Sequence, residues 1–304
     1  MSARPLRSLG ERIILALPFI WLILFFLAPL AIVLKISFSQ PAMSQPPYSP
    51  AFDWFAGPPG WISSLRQFTL QAYAGLVDEW LYVQSLASSL KLAALATILS
   101  LLIAYPMACA MARAPKHWRL ALVALAMAPF WTSFLIRVYA WIAILKDEGL
   151  LNHALISVGL IAEPLHIFAS DYAVLIGIVY SYLPFMILPL YTSIAGRDHR
   201  LLEAASDLGA TPAAVFWRVT VPLSRPGIIA GCLLVFIPAT GEFVIPDLLG
   251  GSDTLMIGRL LWTDFFDNRD WPAACAAAVL LIALLILPVA LRERIQLARR
   301  QGAQ

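Results

Sequence analysis

Two ionisable side chains, Arg137 and Glu242, sit inside long apolar runs. A charge at the centre of a membrane helix costs about 2.5–3.5 kcal/mol, so each predicts a role or a partner. One reading is that the two pair with each other. The other is that Glu242, with Asp247 a little further on, faces a path for a positively charged solute. An ammonium group is a compact charge with three donors, and carboxylates and aromatic faces suit it. Trp131, Tyr180 and Tyr182 lie in other apolar runs, where they are expected to supply rings nearer mid-membrane, and Phe243 follows Glu242 in the sequence. Trp131, Tyr180, Tyr182, Phe243 and Arg137 are therefore grouped with Glu242 and Asp247 as candidate pathway residues. Rings in such runs also serve as packing or interfacial anchors.

Other chemistries find little footing. Cys109, Cys232 and Cys275 lie in separate apolar runs, which gives no metal or redox motif. His117, His153, His166 and His199 form no i, i+4 pair of the kind that holds catalytic zinc. The lysines are Lys35, Lys91, Lys116 and Lys146, and none follows a glycine. The phosphate-cradling Gly-Lys-Ser/Thr loop of an ATPase is therefore missing. No cofactor and no nucleic-acid partner are expected on this chain.

The elements that must position these residues are membrane helices. Of 304 residues 61% are hydrophobic and 13% charged, against roughly 25% charged in soluble domains. A bilayer core of about 30 Å takes roughly 20 apolar residues of helix. Charge-free runs at 13–34, 92–112, 120–136, 172–196, 226–241 and 271–291 predict six spans. The third is expected to continue past Arg137 to Leu145, and the fifth past Glu242 toward Leu248. At about 1.5 Å per residue, Arg137 lies about 26 Å into span three and Glu242 about 24 Å into span five. Both depths fall in the outer third of the membrane. The stretch 150–162 is too short to cross and reads as an interfacial or re-entrant piece. The first run exceeds the apolar core of a signal peptide and reads as a retained helix.

Fourteen Lys and Arg residues fall in loops on one side and six on the other. That bias puts both termini in the cytoplasm. The chain then divides into an N-terminal tail (1–12), a first helix with its outer loop (13–84), a five-helix core (85–291) and a C-terminal tail (292–304). The outer loop 37–84 is rich in Pro and aromatics, including Trp54, Pro58, Pro59 and Trp61, and is expected to pack as a small cap.

The inner loop 197–225 is the most informative segment. Leu201, Leu202, Ala205 and Leu208 recur at helical spacing. Gly209 supplies a stop at positive φ. Thr211 is a good N-cap, and Pro212 fits the first helical position. A second short helix follows, with Val215, Phe216 and Val219 on one face, and Pro222 and Pro226 are expected to end it. Such an elbow, offering apolar side chains outward, can dock in a groove of another protein or lie on lipid headgroups.

Glu203-Ala204-Ala205, Gly209 and Val219-x-Val221-Pro222 resemble the EAA loop of ABC-importer permeases. Val219 and Val221 stand where that pattern has Ile and Leu. Further stretches resemble the polyamine branch of these permeases. They are Pro129-Phe130-Trp131-Thr132-Ser133-Phe134-Leu135-Ile136-Arg137-Val138-Tyr139-Ala140-Trp141, Leu183-Pro184-Phe185-Met186, Gly241-Glu242-Phe243-Val244-Ile245-Pro246-Asp247-Leu248-Leu249-Gly250-Gly251 and Asn268-Arg269-Asp270-Trp271-Pro272. The Gly-Glu-Phe-Val-Ile-Pro stretch is most similar to the putrescine-type subunit.

The resemblance implies an all-α, six-helix type I importer permease of the bacterial inner membrane with a cytoplasmic coupling helix. It implies a second permease subunit, two ATPase subunits that hold ATP and Mg, and an extracytoplasmic polyamine-binding protein. Glu203, Ala204, Ala205, Gly209, Phe216 and Pro222 are the coupling residues it implies. Alternatives are a permease for another small solute and an ion-coupled secondary transporter. The latter calls for matching broken helices in two repeats, which the sequence does not display.

Overall fold

The computed structural model describes residues 9–51, 66–198 and 200–301. Trp54, Pro58, Pro59 and Trp61 of the outer loop, Arg4 and Arg7 of the N-terminal tail, and His199 lie outside them. The described chain is helical apart from a two-stranded antiparallel hairpin, β1 (Gln40–Pro41) and β2 (Tyr48–Ser49). It forms two compact units, 1–83 with 260–304, and 84–259.

In the first unit, α1 (Leu9–Leu22) passes through a π-helical turn, Ile23–Leu27, into α2 (Ala28–Ser37). The wide turn stands just before Pro29. A proline ring clashes with the carbonyl four residues back, and a π turn relieves that clash. The unit also contains α3 (Gln71–Asp78) and the whole of the long final helix α15 (Trp271–Gln301), against which α2 and α3 pack. Leu76 meets Ala276 and Ala277 there. Lys35, at the end of α2, donates to the Pro50 carbonyl at 2.8 Å and lies 4.6 Å from the Tyr48 ring.

The second unit holds most of α4 (Trp80–Arg113), then α5 (Lys116–Met127), α6 (Phe134–Leu145), α7 (Leu150–Ser157) and α8 (Asp171–Ala195). The elbow supplies α9 (Arg200–Asp207), α10 (Pro212–Val215) and α11 (Val221–Leu223). After it come α12 (Arg225–Thr240) and α13 (Val244–Leu249), and α14 (Ile257–Phe266) leads out of the unit. One core gathers Leu92, Ala93 and Ala96 of α4, Val138 of α6, Ile178 of α8, Ala239 of α12 and Ile245 of α13.

Among the described residues, three helices are long and apolar enough to cross a membrane, and two bent pairs bring the number to five. The sixth expected span is the apolar stretch Trp271–Leu287, part of the 31-residue α15. Two spans are not the continuous helices expected. The third breaks in a 3-10 turn at Ala128–Trp131, with an 85° bend before Phe134. Pro129 and the extended Thr132 make that break. The fifth ends at Thr240, and α13 starts afresh at Val244. A depth counted along a straight helix therefore fails for Arg137, whereas Glu242 lies two residues beyond the end of the unbroken helix Arg225–Thr240.

The second span begins at Trp80 rather than Leu92. Its first turns carry Ser85 and Ser89, both buried, and Ser89 Oγ accepts from the Ile257 N–H at 2.8 Å. Stretch 150–162 forms the short α7 and a turn. It is pinned where Asn152 exchanges hydrogen bonds with the backbone of Leu165.

Close packing joins α12 to α8. Gly227 and Gly231 lie one turn apart on α12. A Cβ at Gly227 would sit 2.5 Å from both the Pro189 carbonyl oxygen and Ser193 Cβ, and one at Gly231 would sit 2.6 Å from the Met186 sulfur. Small residues at this spacing let membrane helices approach closely. Gly227→Leu is expected to destabilise the chain by about 1–3 kcal/mol or more. Thermal melting of the purified protein in detergent measures it, and an unchanged melting temperature would contradict this packing.

Candidate functional site

Glu242 lies in the gap between α12 and α13, 8% exposed. Its Oε1 accepts from the backbone N–H groups of Val244 at 3.0 Å and Ile245 at 3.4 Å. Those are open donors of the first turn of α13, where negative charge is favourable. The Tyr182 hydroxyl donates to its other oxygen, Oε2. Gly258 presses against the Glu242 carbonyl, where a Cβ would come within 2.5 Å. Backbone and carboxylate are thus fixed by three elements, α8, α13 and α14.

Arg137 is 9% exposed on α6 and makes no ion pair with Glu242. Its Nε and Nη1 are buried without a hydrogen-bond partner. The guanidinium instead lies 5.3 Å from the Phe130 ring and 5.7 Å from the Phe134 ring. Between the two charges runs a row of rings. Phe130 meets Phe185 edge-on at 4.9 Å, and Phe185 lies 6.1 Å from Tyr182. The expected pairing of Arg137 with Glu242 is absent because the break at Ala128–Trp131 redirects α6 and Tyr182 takes the carboxylate.

The other candidates are dispersed. Asp247 lies 3.3 Å from Arg259 Nε, and both side chains are partly exposed. Tyr180 packs edge-on against Trp141 at 5.4 Å. Phe243 is half-buried, and Trp131 is 78% exposed at the break. None of them lines the groove that opens in the first unit. That groove measures about 910 Å³ and is lined by residues that include Met43, Gln45, Asn268 and Arg269. Phe130, Phe134 and Phe185 join the site, although the sequence marks them only within the stretches of family resemblance and not as pathway candidates. Phe134 and Arg137 stand three residues apart on one helix, a spacing that brings side chains together.

In the elbow, Gly209 has φ +79° and Thr211 Oγ1 accepts from the Ala214 N–H at 3.3 Å. The Ala210 N–H donates back to the Ala205 carbonyl at 3.1 Å. This five-residue reach is the bond of a glycine-terminated helix end. Pro222 does not end the second helix. A π turn at Phe216–Thr220 absorbs its ring, and the helical path continues to Leu223 before a 64° bend into α12.

The wide turn also changes which side chains face out. Phe216 packs edge-on against Tyr105 of α4 at 5.6 Å, and the Tyr105 hydroxyl shares a 2.8 Å hydrogen bond with Ser224. Outward-facing apolar surface comes from Leu208, 90% exposed, and Trp217, 67% exposed. Glu203 and Ala204 are exposed beside them, while Ala205 is half-covered.

Residues 11–300 match the family described as the inner membrane component of binding-protein-dependent transport systems. The chain belongs to that family. This permease is thus a transport component of the ABC-importer type and not an enzyme.

It is similar to the spermidine/putrescine transport system permease protein PotB of Haemophilus influenzae, with 42% identity over 277 residues, 91% of each chain. It is 44% identical over 218 residues to PotB of Escherichia coli K12, covering 72% of this permease and 79% of that one. To the Escherichia coli inner membrane ABC transporter permease protein YdcU it is 32% identical, covering 68% and 70%.

Among solved structures, a bacterial importer of the acidic polysaccharide alginate has a TM-score of 0.64 at 18% identity, over 95% of this chain and 96% of that one. Its complex with a periplasmic protein bound to alginate pentasaccharide scores 0.64 at 17% identity, over 93% and 92%. At those identities the likeness speaks for the fold alone. The fold is that of a type I importer permease, multi-pass in the inner membrane.

Proposed function

We propose that this permease is one half of a two-chain channel that imports polyamine, with putrescine as its leading cargo, driven by ATP hydrolysed on a separate chain. The relatives named for spermidine and putrescine carry the cargo class. The fixed carboxylate at Glu242 supports it chemically. Tyr182 occupies the seat at Oε2 that an ammonium group can take, while the Val244 and Ile245 N–H groups hold Oε1 in place. An arriving ammonium displaces the hydroxyl and meets the rings of Tyr182 and Phe185 beside it. Asp247, Phe243, Tyr180 and Trp131 line the wider path in this reading, with Arg137 along the same row of rings.

Both termini face the cytoplasm, as the excess of Lys and Arg in the inner loops indicates. The elbow then meets an ATPase subunit through Glu203, Ala204 and Ala205, with Gly209 setting its angle. Phe216 and Pro222 fix the elbow to the membrane helices. A polyamine-binding protein delivers cargo at the outer face, and two ATPase chains hold ATP and Mg.

The cargo is tested by uptake of labelled putrescine into cells that depend on this transporter. Unlabelled putrescine and spermidine are expected to compete, and lysine is not. Uptake insensitive to both polyamines would overturn the cargo assignment.

A further inference from the structure

The break between α5 and α6 lies at membrane depth. Lys116–Met127 covers about 18 Å at about 1.5 Å per residue, more than half of the apolar core. Beyond it the backbone is irregular, and Trp131, Thr132 and Ser133 are all exposed. Non-helical backbone at this depth is not tolerated against lipid. It occurs where another protein covers it or where it lines water. The same surface continues along α6 through the exposed Ile136 and Tyr139. Beside it Arg137 is nine-tenths buried; its Nε and Nη1 are covered by this chain's own atoms without a hydrogen bond, which leaves Nη2 as the guanidinium nitrogen that a neighbour can reach. Glu242, the nearby carboxylate in sequence expectation, is already held by Tyr182 and α13. The Phe130 and Phe134 rings are weak partners for a buried charge, and a carboxylate answers it better than any neutral group.

We infer that the surface formed by Thr132, Ile136 and Tyr139 is a seam against a transmembrane helix of the second channel-forming chain, and that this helix carries an Asp or Glu that neutralises Arg137. Lipid is disfavoured by the open backbone. Water is disfavoured by the Ile136 and Tyr139 side chains. The inference rests on the two-chain channel proposed above.

The test uses the intact transporter in its native membrane. A photo-crosslinking benzoylphenylalanine replaces Ile136, and adducts are identified by peptide mass. Retention of the second chain is measured for Arg137→Lys and Arg137→Glu, alongside the amount of each variant inserted. The expected adduct joins residue 136 to a helix of the second chain containing an acidic residue. Arg137→Lys keeps that chain, and Arg137→Glu loses it by about tenfold or more. An adduct confined to lipid overturns the inference, as does full retention by Arg137→Glu. Should Arg137→Glu fail to insert, labelling of Thr132→Cys by a water-soluble maleimide decides. Protection in the assembled complex supports the seam, and ready labelling overturns it. A wild-type transporter that contains no second channel-forming chain refutes the two-chain reading itself, a result separable from a seam placed elsewhere.

Discussion

Glu242→Gln is expected to lower polyamine uptake about tenfold while leaving the chain folded. The amide is isosteric. Its oxygen still accepts from the Val244 N–H, and its nitrogen can donate to the Tyr182 hydroxyl, so the geometry at α13 persists. What disappears is the charge. A hydrogen bond to a charged group contributes about 1.5–3 kcal/mol against about 0.5–1.5 for a neutral one. The difference for an ammonium ligand is about tenfold in affinity. Transport rate against putrescine concentration reads it directly.

Tyr182→Phe gives the contrast. It removes the competing donor at Oε2 and spares the carboxylate, so uptake should survive it. A Glu242 that only caps α13 gives the opposite pattern. Uptake by Glu242→Gln then stays at the wild-type rate, and any loss appears in thermal stability alone.

Disruption of the elbow is expected to abolish the extra ATP hydrolysis that loaded binding protein elicits, leaving the basal rate. Gly209→Val forces a β-branched residue to φ +79°. A left-handed backbone costs an ordinary residue about 1–2 kcal/mol, and a β-branched residue is less tolerant still. No heavy atom lies within 4 Å of the new Cβ, so the cost is conformational and the angle between α9 and α10 changes without a clash. Glu203→Arg reverses the exposed charge of α9 and leaves the backbone alone. Both variants should insert normally, because neither side chain packs against the membrane helices. Stimulated hydrolysis at the wild-type rate in both would remove the elbow from the coupling path.

The parts of this architecture legible in the sequence are those that depend on local chemistry. The glycine stop at Gly209 and the Thr211 cap are set by their own residues, and the structure has both. The apolar runs of α8 and the first span are likewise local. The breaks at Ala128–Trp131 and Gly241–Phe243 were hidden because apolar content continues through them, and hydropathy does not register backbone direction. The proposed pairing of Arg137 and Glu242 assumed straight helices and inherited that error.

The elbow's outward face also depends on backbone detail. Pro222 requires a π turn upstream, and that turn swings Phe216 inward and Trp217 outward. The start of α4 was missed because Ser85 and Ser89 interrupt the apolar run, yet helix interiors accept serines that find partners. The paired glycines at 227 and 231 were a readable packing signal that hydropathy alone passes over.

The central claim is that this chain is the channel subunit of an ATP-driven polyamine importer. Its most direct test places the chain in proteoliposomes with its second channel chain, ATPase chains and binding protein, and follows labelled putrescine. Accumulation against a gradient that requires ATP on the elbow side, and that persists when ion gradients are collapsed, is the predicted result. Accumulation that continues without ATP and stops when an ion gradient is removed would contradict it.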